Sequence, residues 1–127
     1  MKQDISIDFK KQSGIVPVVV QDAETKDVLM LAYMDKQAWE KTLETGIAHY
    51  YSRSRKKLWK KGESSGNTQT VREIRIDCDN DTILLFVNQA GGIACHTGRK
   101  SCFYRKVDKN GMHEILPILK DPSQIYK

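Results

Sequence analysis

The sequence predicts a single α+β, mainly β domain over residues 1–127. Its 127 residues fit one domain of ordinary size. Six or so short segments have strand-like composition and are separated by turn formers. Too few segments carry helical spacing for the strand–helix alternation of a doubly wound sheet, which leaves one or two short helices.

Taken in chain order, Ile15–Gln21 is apolar and β-branched and Val28–Tyr33 is apolar. The turn formers of Asp22–Asp27 join them as a hairpin. Pro17 predicts that the first strand starts late or lies at an edge, because proline cannot donate to a ladder. Asp35 is a good N-cap, Ala38, Trp39, Thr42 and Leu43 recur at helical spacing, and Gly46 stands where a left-handed C-terminal residue is wanted. These residues predict one helix of about ten residues. Ala48–Ser52, Thr68–Ile76, Thr82–Val87, Phe103–Val107 and His113–Leu116 read as further strands. Between them, the charged stretch from Arg53 to Lys61 and the glycine-serine stretch Gly62–Asn67 predict a functional loop of about 15 residues.

A domain of this length folds without disulfide or metal staples, so a metal site here has a job beyond holding the chain together. No apolar run approaches the roughly 18–20 residues of a membrane helix, and the start MKQDISIDFKK lacks the apolar core of a secretory signal. The cytosol is therefore the expected compartment, with no membrane partner. Twenty-one Lys and Arg against 16 Asp and Glu give a net charge of +5, which favours an anionic partner. The three cysteines are an odd count and, in a reducing compartment, read as metal ligands, a nucleophile or core residues.

Asp77-Cys78-Asp79-Asn80-Asp81 places three carboxylates at alternate positions. On an extended segment they share one face, with Cys78 on the other. Like charges so arranged gain nothing unless a cation sits among them, and all-oxygen ligands suit magnesium or calcium. A magnesium site and a solvated acidic turn are the two readings. A calcium-binding EF-hand is rejected, since Thr82 replaces its glycine and Asn88 its bidentate glutamate.

Cys78, Cys95 and Cys102 do not have a common zinc-finger spacing. In ACHTGRKSCF, Gly98 lets the chain turn and bring two thiolates together beside His96 and Arg99. Three protein ligands with one open position is the arrangement of a catalytic zinc; buried inert cysteines are the alternative. His96 is a fourth ligand or a nearby base, whereas His49 and His113 read as core or surface residues. Arg53 and Arg55 offer planar forks for phosphate, and Ser64, Ser65 and the amides flanking Gly62 and Gly66 complete an anion cradle. Trp59 amid basic residues also suits stacking on nucleic acid. A solvated basic loop, a nucleic-acid surface and a metabolite-phosphate site all stay open on composition.

Taken together, SRSRKKLWKKGESSGNT, DCDND and ACHTGRKSCF closely resemble the phosphoribosyl-AMP cyclohydrolase family of histidine biosynthesis, over about Val18 to Arg105. The resemblance implies an intertwined homodimer with a barrel-like, mainly β fold and one zinc per subunit shared across the interface. It assigns zinc to Cys78 of one chain with Cys95 and Cys102 of the other, and magnesium to Asp77, Asp79 and Asp81. It also implies hydrolysis of the N1–C6 bond of the adenine ring of phosphoribosyl-AMP. The chain ends soon after the cysteine motif, so no fused pyrophosphohydrolase is expected, and a separate enzyme supplies the substrate.

Zinc that lowers the pKa of its water makes hydroxide available for attack on C6. The departing N1 needs a proton, for which His96 is the first candidate and Glu63 the second. Arg53, Arg55, Lys61, Arg99 and the Gly62–Gly66 segment are the expected phosphate and substrate contacts, with Trp59 lining the base. The rival from another class, a basic single-stranded nucleic-acid-binding module with structural zinc, has no use for DCDND, because carboxylates repel phosphate. A zinc nucleobase deaminase would need H-x-E and P-C-x-x-C signatures, and both are absent.

Overall fold

Val16, Val18 and Val20 alternate with half-buried neighbours and are themselves fully buried, so the first strand turns one apolar face to the core. The computed structural model describes residues 6–125. Within it, β1 (Val16–Asp22) forms a hairpin with β2 (Val28–Met34) and pairs in parallel with β6 (Ile83–Gln89). In turn, β6 pairs antiparallel with β5 (Gln69–Ile76), giving the strand order β2-β1-β6-β5. Two small hairpins complete the strands, β3 (His49–Ser52) with β4 (Lys57–Lys60) and β7 (Arg105–Asp108) with β8 (Gly111–Glu114). Helix α1 (Lys36–Thr45) links β2 to β3, and a single turn, α2 (Pro122–Ile125), follows β8.

The helix forms for the expected reasons. Asp35 Oδ1 accepts from the Ala38 amide at 2.8 Å, and Gly46 ends the helix in the left-handed conformation. Ala38, Trp39 and Thr42 are buried, while Leu43, at the margin of the stripe, stays 43% exposed. Thr42 Oγ1 donates to the Ala38 carbonyl at 2.8 Å and accepts from the His49 amide at 3.0 Å, which fixes where β3 begins.

Three expectations are corrected. Pro17 does not mark an edge, since β1 lies between β2 and β6. The parallel register with β6 starts at Val18, so the proline that lacks an N–H stands just outside that ladder. The basic loop contains strand β4, because Trp59 packs on Tyr50 with ring centroids 5.3 Å apart and the register runs from His49–Lys60 to Ser52–Lys57. The last two strands lie closer together than expected, β7 starting two residues later and β8 lying two residues earlier, with their turn at Lys109-Asn110, where Asp108 Oδ1 accepts from the Asn110 amide at 2.8 Å.

The mainly β class is correct, but the sheet does not close into a barrel. The β3–β4 hairpin meets β5 through the Ile47–Thr70 bridge and the Ala48 amide to Gln69 carbonyl bond of 2.9 Å. Among the described residues no ladder joins β3 or β4 to β2. The chain crosses that gap through α1, leaving an unzipped seam between β2 and the β3–β4 hairpin.

Gln69 is fully buried where these parts meet. Its Oε1 accepts from Tyr50 Oη at 2.5 Å, and its Nε2 donates to Gln89 Oε1 at 2.8 Å and toward Met30 Sδ at 3.4 Å. Replacing Gln69 by leucine strands the buried Tyr50 hydroxyl without a partner, at a cost of about 1–3 kcal/mol for that group. Denaturant unfolding of Gln69→Leu is expected to show a stability loss of that size, with Tyr50→Phe in the same background restoring part of it.

Candidate functional site

The seam opens into a cleft of about 790 Å³ lined by Met30–Tyr33 of β2, Tyr51–Arg55 and the run from Trp59 to Ser65. Its floor is aromatic and aliphatic and its rim is basic and hydroxylated, a division that suits a flat apolar ring carrying anionic groups. The Arg53 guanidinium stacks over the Tyr33 ring with its carbon 4.0 Å from the centroid, which holds the cation at the rim. Tyr33, Tyr51, Met30 and Ala32 were not singled out in the sequence, where they read only as strand residues. Recognising them required knowing that β2 faces an open seam.

The serine-glycine segment is shaped by Gly62. Its φ of +86° belongs to glycine, and a Cβ there would lie 2.5 Å from the backbone of Asn67 and Thr68. The Gly66 amide donates back to the Gly62 carbonyl at 2.7 Å, and Ser65 Oγ accepts from the Asn67 amide at 3.1 Å. Glu63, Ser64 and Ser65 face the cleft, whereas Gly66 is outside its lining. Behind the loop, Gln89 Nε2 donates to the Asn67 carbonyl at 2.9 Å and ties it to the central network.

The second cluster is the cysteine loop. Ala94 and Cys95 amides donate to the Lys100 and Arg99 carbonyls at 3.1 Å each, forming a tight reversal at Gly98. Gly98 has φ +88°, and any Cβ there would strike the Lys120 carbonyl. The loop docks on β2 through the Cys102 amide to Leu29 carbonyl bond of 2.7 Å and Ser101 Oγ to the Val28 carbonyl at 2.7 Å. This brings the Cys95 and Cys102 thiols close enough to interact electrostatically, while Cys95 Sγ accepts from the Thr97 hydroxyl at 3.1 Å. Although Cys102 keeps an exposed surface, partial desolvation of its thiol and then the neighbouring Cys95 push it up to about 12, against the pull of Lys61.

Lys61 points inward, not along the rim. Its Nζ donates to the Ala94 carbonyl at 2.7 Å and lies close enough to both thiols to interact with them electrostatically. Burial holds its ammonium below the ordinary lysine value, and the two cysteines offset part of that effect. Arg99, expected among the substrate contacts, is also turned away from the cleft and only 7% exposed. Its Nε donates to the Leu116 carbonyl at 3.0 Å, its guanidinium pairs with Glu114 at 3.2 Å, and it stacks on Tyr104 at 3.9 Å. Arg99 thus clamps the β7–β8 segment. His96 is exposed beside Cys95 and does not line the cleft. His49 is buried with Nδ1 2.8 Å from the Ile47 carbonyl, and His113 is a surface partner of Asp108 at 3.2 Å.

The third cluster is the β5–β6 turn. Asp77, Asp79 and Asp81 each place a carboxylate oxygen within 4.8 Å of the others. They converge through a turn and not through extended alternation: Asn80 has φ +64°, and Asp77 Oδ1 accepts from the Asp81 and Thr82 amides at 3.0 and 3.1 Å. Partial desolvation and then Asp77 and Asp79 raise the Asp81 carboxyl, as expected for like charges crowded together. The Lys11 ammonium, 3.5 Å from both Asp79 and Asp81, partly balances them.

Cys78 belongs to this turn and is exposed. The turn joins β5 and β6, whereas the loop that carries Cys95 and Cys102 docks on β2, the edge strand at the other side of the sheet. Among the described residues the three cysteines do not form one cluster within a single chain.

The Arg99 clamp has a direct check. Arg99→Met is expected to loosen the segment from Phe103 to Leu119, which limited proteolysis would register as faster cleavage there than in the intact protein.

Comparison with known proteins bears on the same segments. The family model for phosphoribosyl-AMP cyclohydrolase matches residues 30–104, from the cleft-lining part of β2 through the cysteine loop. The chain is 56% identical to "Phosphoribosyl-AMP cyclohydrolase" of Desulfatibacillum aliphaticivorans over 97% of its own length and 98% of that relative. It is 57% identical to the protein of that name from Desulforapulum autotrophicum, over 97% and 99% of the two chains. With the Neisseria gonorrhoeae protein of that name it shares 57% identity over 91% and 88%. Among the described residues no helix is long and apolar enough to cross a membrane. A match that runs through all three clusters, and relatives this similar over nearly their whole length, make the chain a member of the phosphoribosyl-AMP cyclohydrolase family.

Proposed function

We propose that this enzyme opens the adenine ring of phosphoribosyl-AMP at N1–C6 with zinc and magnesium, using a site that two copies of the chain complete. The observation that carries the reading is the tight loop that holds Cys95 and Cys102 against β2 and beside the cleft residue Lys61, with the third cysteine in the turn at the other side of the same sheet. Two soft thiols on one tight loop fit zinc, and three carboxylates with oxygens within 4.8 Å of one another fit a hard divalent ion. Cys95 and Cys102 would hold zinc together with Cys78 of a second copy, and Asp77, Asp79 and Asp81 would hold magnesium. Zinc bound there supplies a hydrolytic nucleophile near neutral pH by lowering the pKa of its water.

The chain's own residues do the rest. The aromatic floor at Trp59, Tyr33 and Tyr51 takes the purine, and Arg53 and Arg55 with Ser64, Ser65 and the Gly62–Gly66 amides take phosphate. Attack at C6 gives a tetrahedral carbon that collapses by breaking C6–N1, leaving a carboxamide oxygen on C6 and a formimino nitrogen at N1. That nitrogen takes a proton as the bond breaks. His96, next to Cys95, is proposed to deliver it; Glu63, in the cleft lining, is the second candidate.

A second copy is also supported by the apolar surface. Phe103, Val107, Met112, Ile115, Ile118 and Leu119 are each 54–74% exposed within one segment. Such a concentration marks an interaction face, and that segment leads directly from the cysteine loop.

Complementation tests the shared site. Cys78→Ser and Cys95→Ser proteins are each expected to be inactive in ring opening followed by ultraviolet absorbance. Co-refolding them makes one intact site in each mixed dimer, so about a quarter of wild-type turnover should return under random pairing. No recovery from folded mixed dimers would sink the shared site. His96→Ala with unchanged turnover and pH profile would transfer the proton to Glu63. Gly62→Ala, which forces the loop off Asn67 and Thr68, is expected to lower kcat/KM by roughly 100-fold through misplacement of the cradle, with turnover as the readout.

A further inference from the structure

The Lys61 side chain lines the cleft and also reaches the backbone next to Cys95. It leaves β4 immediately before Gly62, and its amide is held to the Ala48 carbonyl at 3.2 Å, so its stem is anchored on the β3–β4 hairpin. Its tip crosses the seam to the Ala94 carbonyl at 2.7 Å, one residue before Cys95. Among the described residues this is a direct side-chain tie between the substrate loop and the cysteine loop.

Charge balance gives the tie a purpose. Three thiolates around one divalent ion carry a net charge of −1, whereas the thiols without metal are neutral. A fixed cation nearby therefore favours the loaded site, and partial burial of Lys61 keeps water from screening that effect. The bond to Ala94 also commits one of the ammonium's three donors, which orients it toward the loop and away from the phosphate rim formed by Arg53 and Arg55.

We propose that Lys61 is a positioning residue whose ammonium stabilises zinc on Cys95 and Cys102 and registers the cysteine loop against the substrate cleft, and that it is not a phosphate ligand. This rests on the zinc reading above. It makes the Lys61–Ala94 bond the mechanical link by which the loop that grips substrate and the loop that holds metal keep their spacing.

The test is zinc competition against a chromophoric chelator, using the full chain as wild type, Lys61→Gln, Lys61→Arg and a Cys95→Ser/Cys102→Ser double variant. Lys61→Gln keeps a donor but no charge, and is expected to hold zinc about 10- to 100-fold more weakly, with kcat reduced and KM within about threefold of wild type. Lys61→Arg restores the charge and is expected to recover most of the zinc affinity. Wild-type zinc affinity in folded Lys61→Gln, or a raised KM with kcat intact, would overturn the inference and return Lys61 to the phosphate rim. Zinc bound no more tightly by wild type than by the double-serine variant would overturn both this inference and the zinc reading, a result distinct from the first. Should Lys61→Gln not fold, Lys61→Arg and Lys61→Met decide, since zinc retained equally by both removes any role for the charge.

Discussion

The buried Gln69 side chain is the constraint on which the arrangement of this protein depends. A primary amide with no access to water has to find partners for both its oxygen and its nitrogen. It finds them on three different elements, at Tyr50 of β3, Gln89 of β6 and Met30 of β2. The hairpin that carries Trp59 is therefore set against the main sheet by directional bonds as well as by apolar contact. Gln89 passes the same constraint outward, since its amide also grips the Asn67 carbonyl at the base of the serine-glycine loop. Core geometry and loop geometry are parts of one hydrogen-bonded system, which low local dielectric makes costly to break in part.

The cleft follows from what this network leaves unjoined. Because β3 packs on β2 through side chains with no backbone ladder between them, while Ile47 and Ala48 bond to β5, the curved sheet has a break that leaves Leu31 and Tyr33 of β2 open beside the aromatic hairpin. A closed barrel would have consumed the backbone groups of that edge in a ladder and filled its interior with side chains. Here the cysteine loop satisfies part of the β2 edge, through the Val28 and Leu29 carbonyls. The same bonds that protect an exposed strand edge also carry the thiol pair to the side of the cleft.

Local signals made much of this legible. The N-cap at Asp35, the glycine at position 46 and the alternation of Val16, Val18 and Val20 each act within a few residues, and the elements they predict are present. The carboxylate triad and the turn that draws Cys95 and Cys102 into one loop were legible for the same reason, since both lie within single short segments. What depended on distant partners was not. The strand at Leu58 and Trp59 exists because Tyr50 stands across from it, Pro17 is tolerated because the β6 ladder begins one residue later, and Arg99 turns inward because Glu114 and Leu116 wait for it. The direction in which a basic side chain points is a property of the fold, and Lys61 and Arg99 show how far it can depart from composition.

The parallel pairing of β1 with β6 has a consequence for synthesis at the ribosome. Val18 and Ile83 are partners although about 65 residues separate them, so the apolar inner edge of β1 emerges long before its neighbour exists. At the usual pace of translation that interval is roughly 3–13 s. During it the nascent β1–β2 hairpin presents Val16, Val18 and Val20 with neither β6 nor the core behind them. The early charged residues Lys10 and Lys11, and the acidic turn Asp22–Asp27 at the other end of the strand, flank that apolar stretch on both sides. Charges in those positions disfavour edge-to-edge pairing of an unfinished apolar strand with another copy.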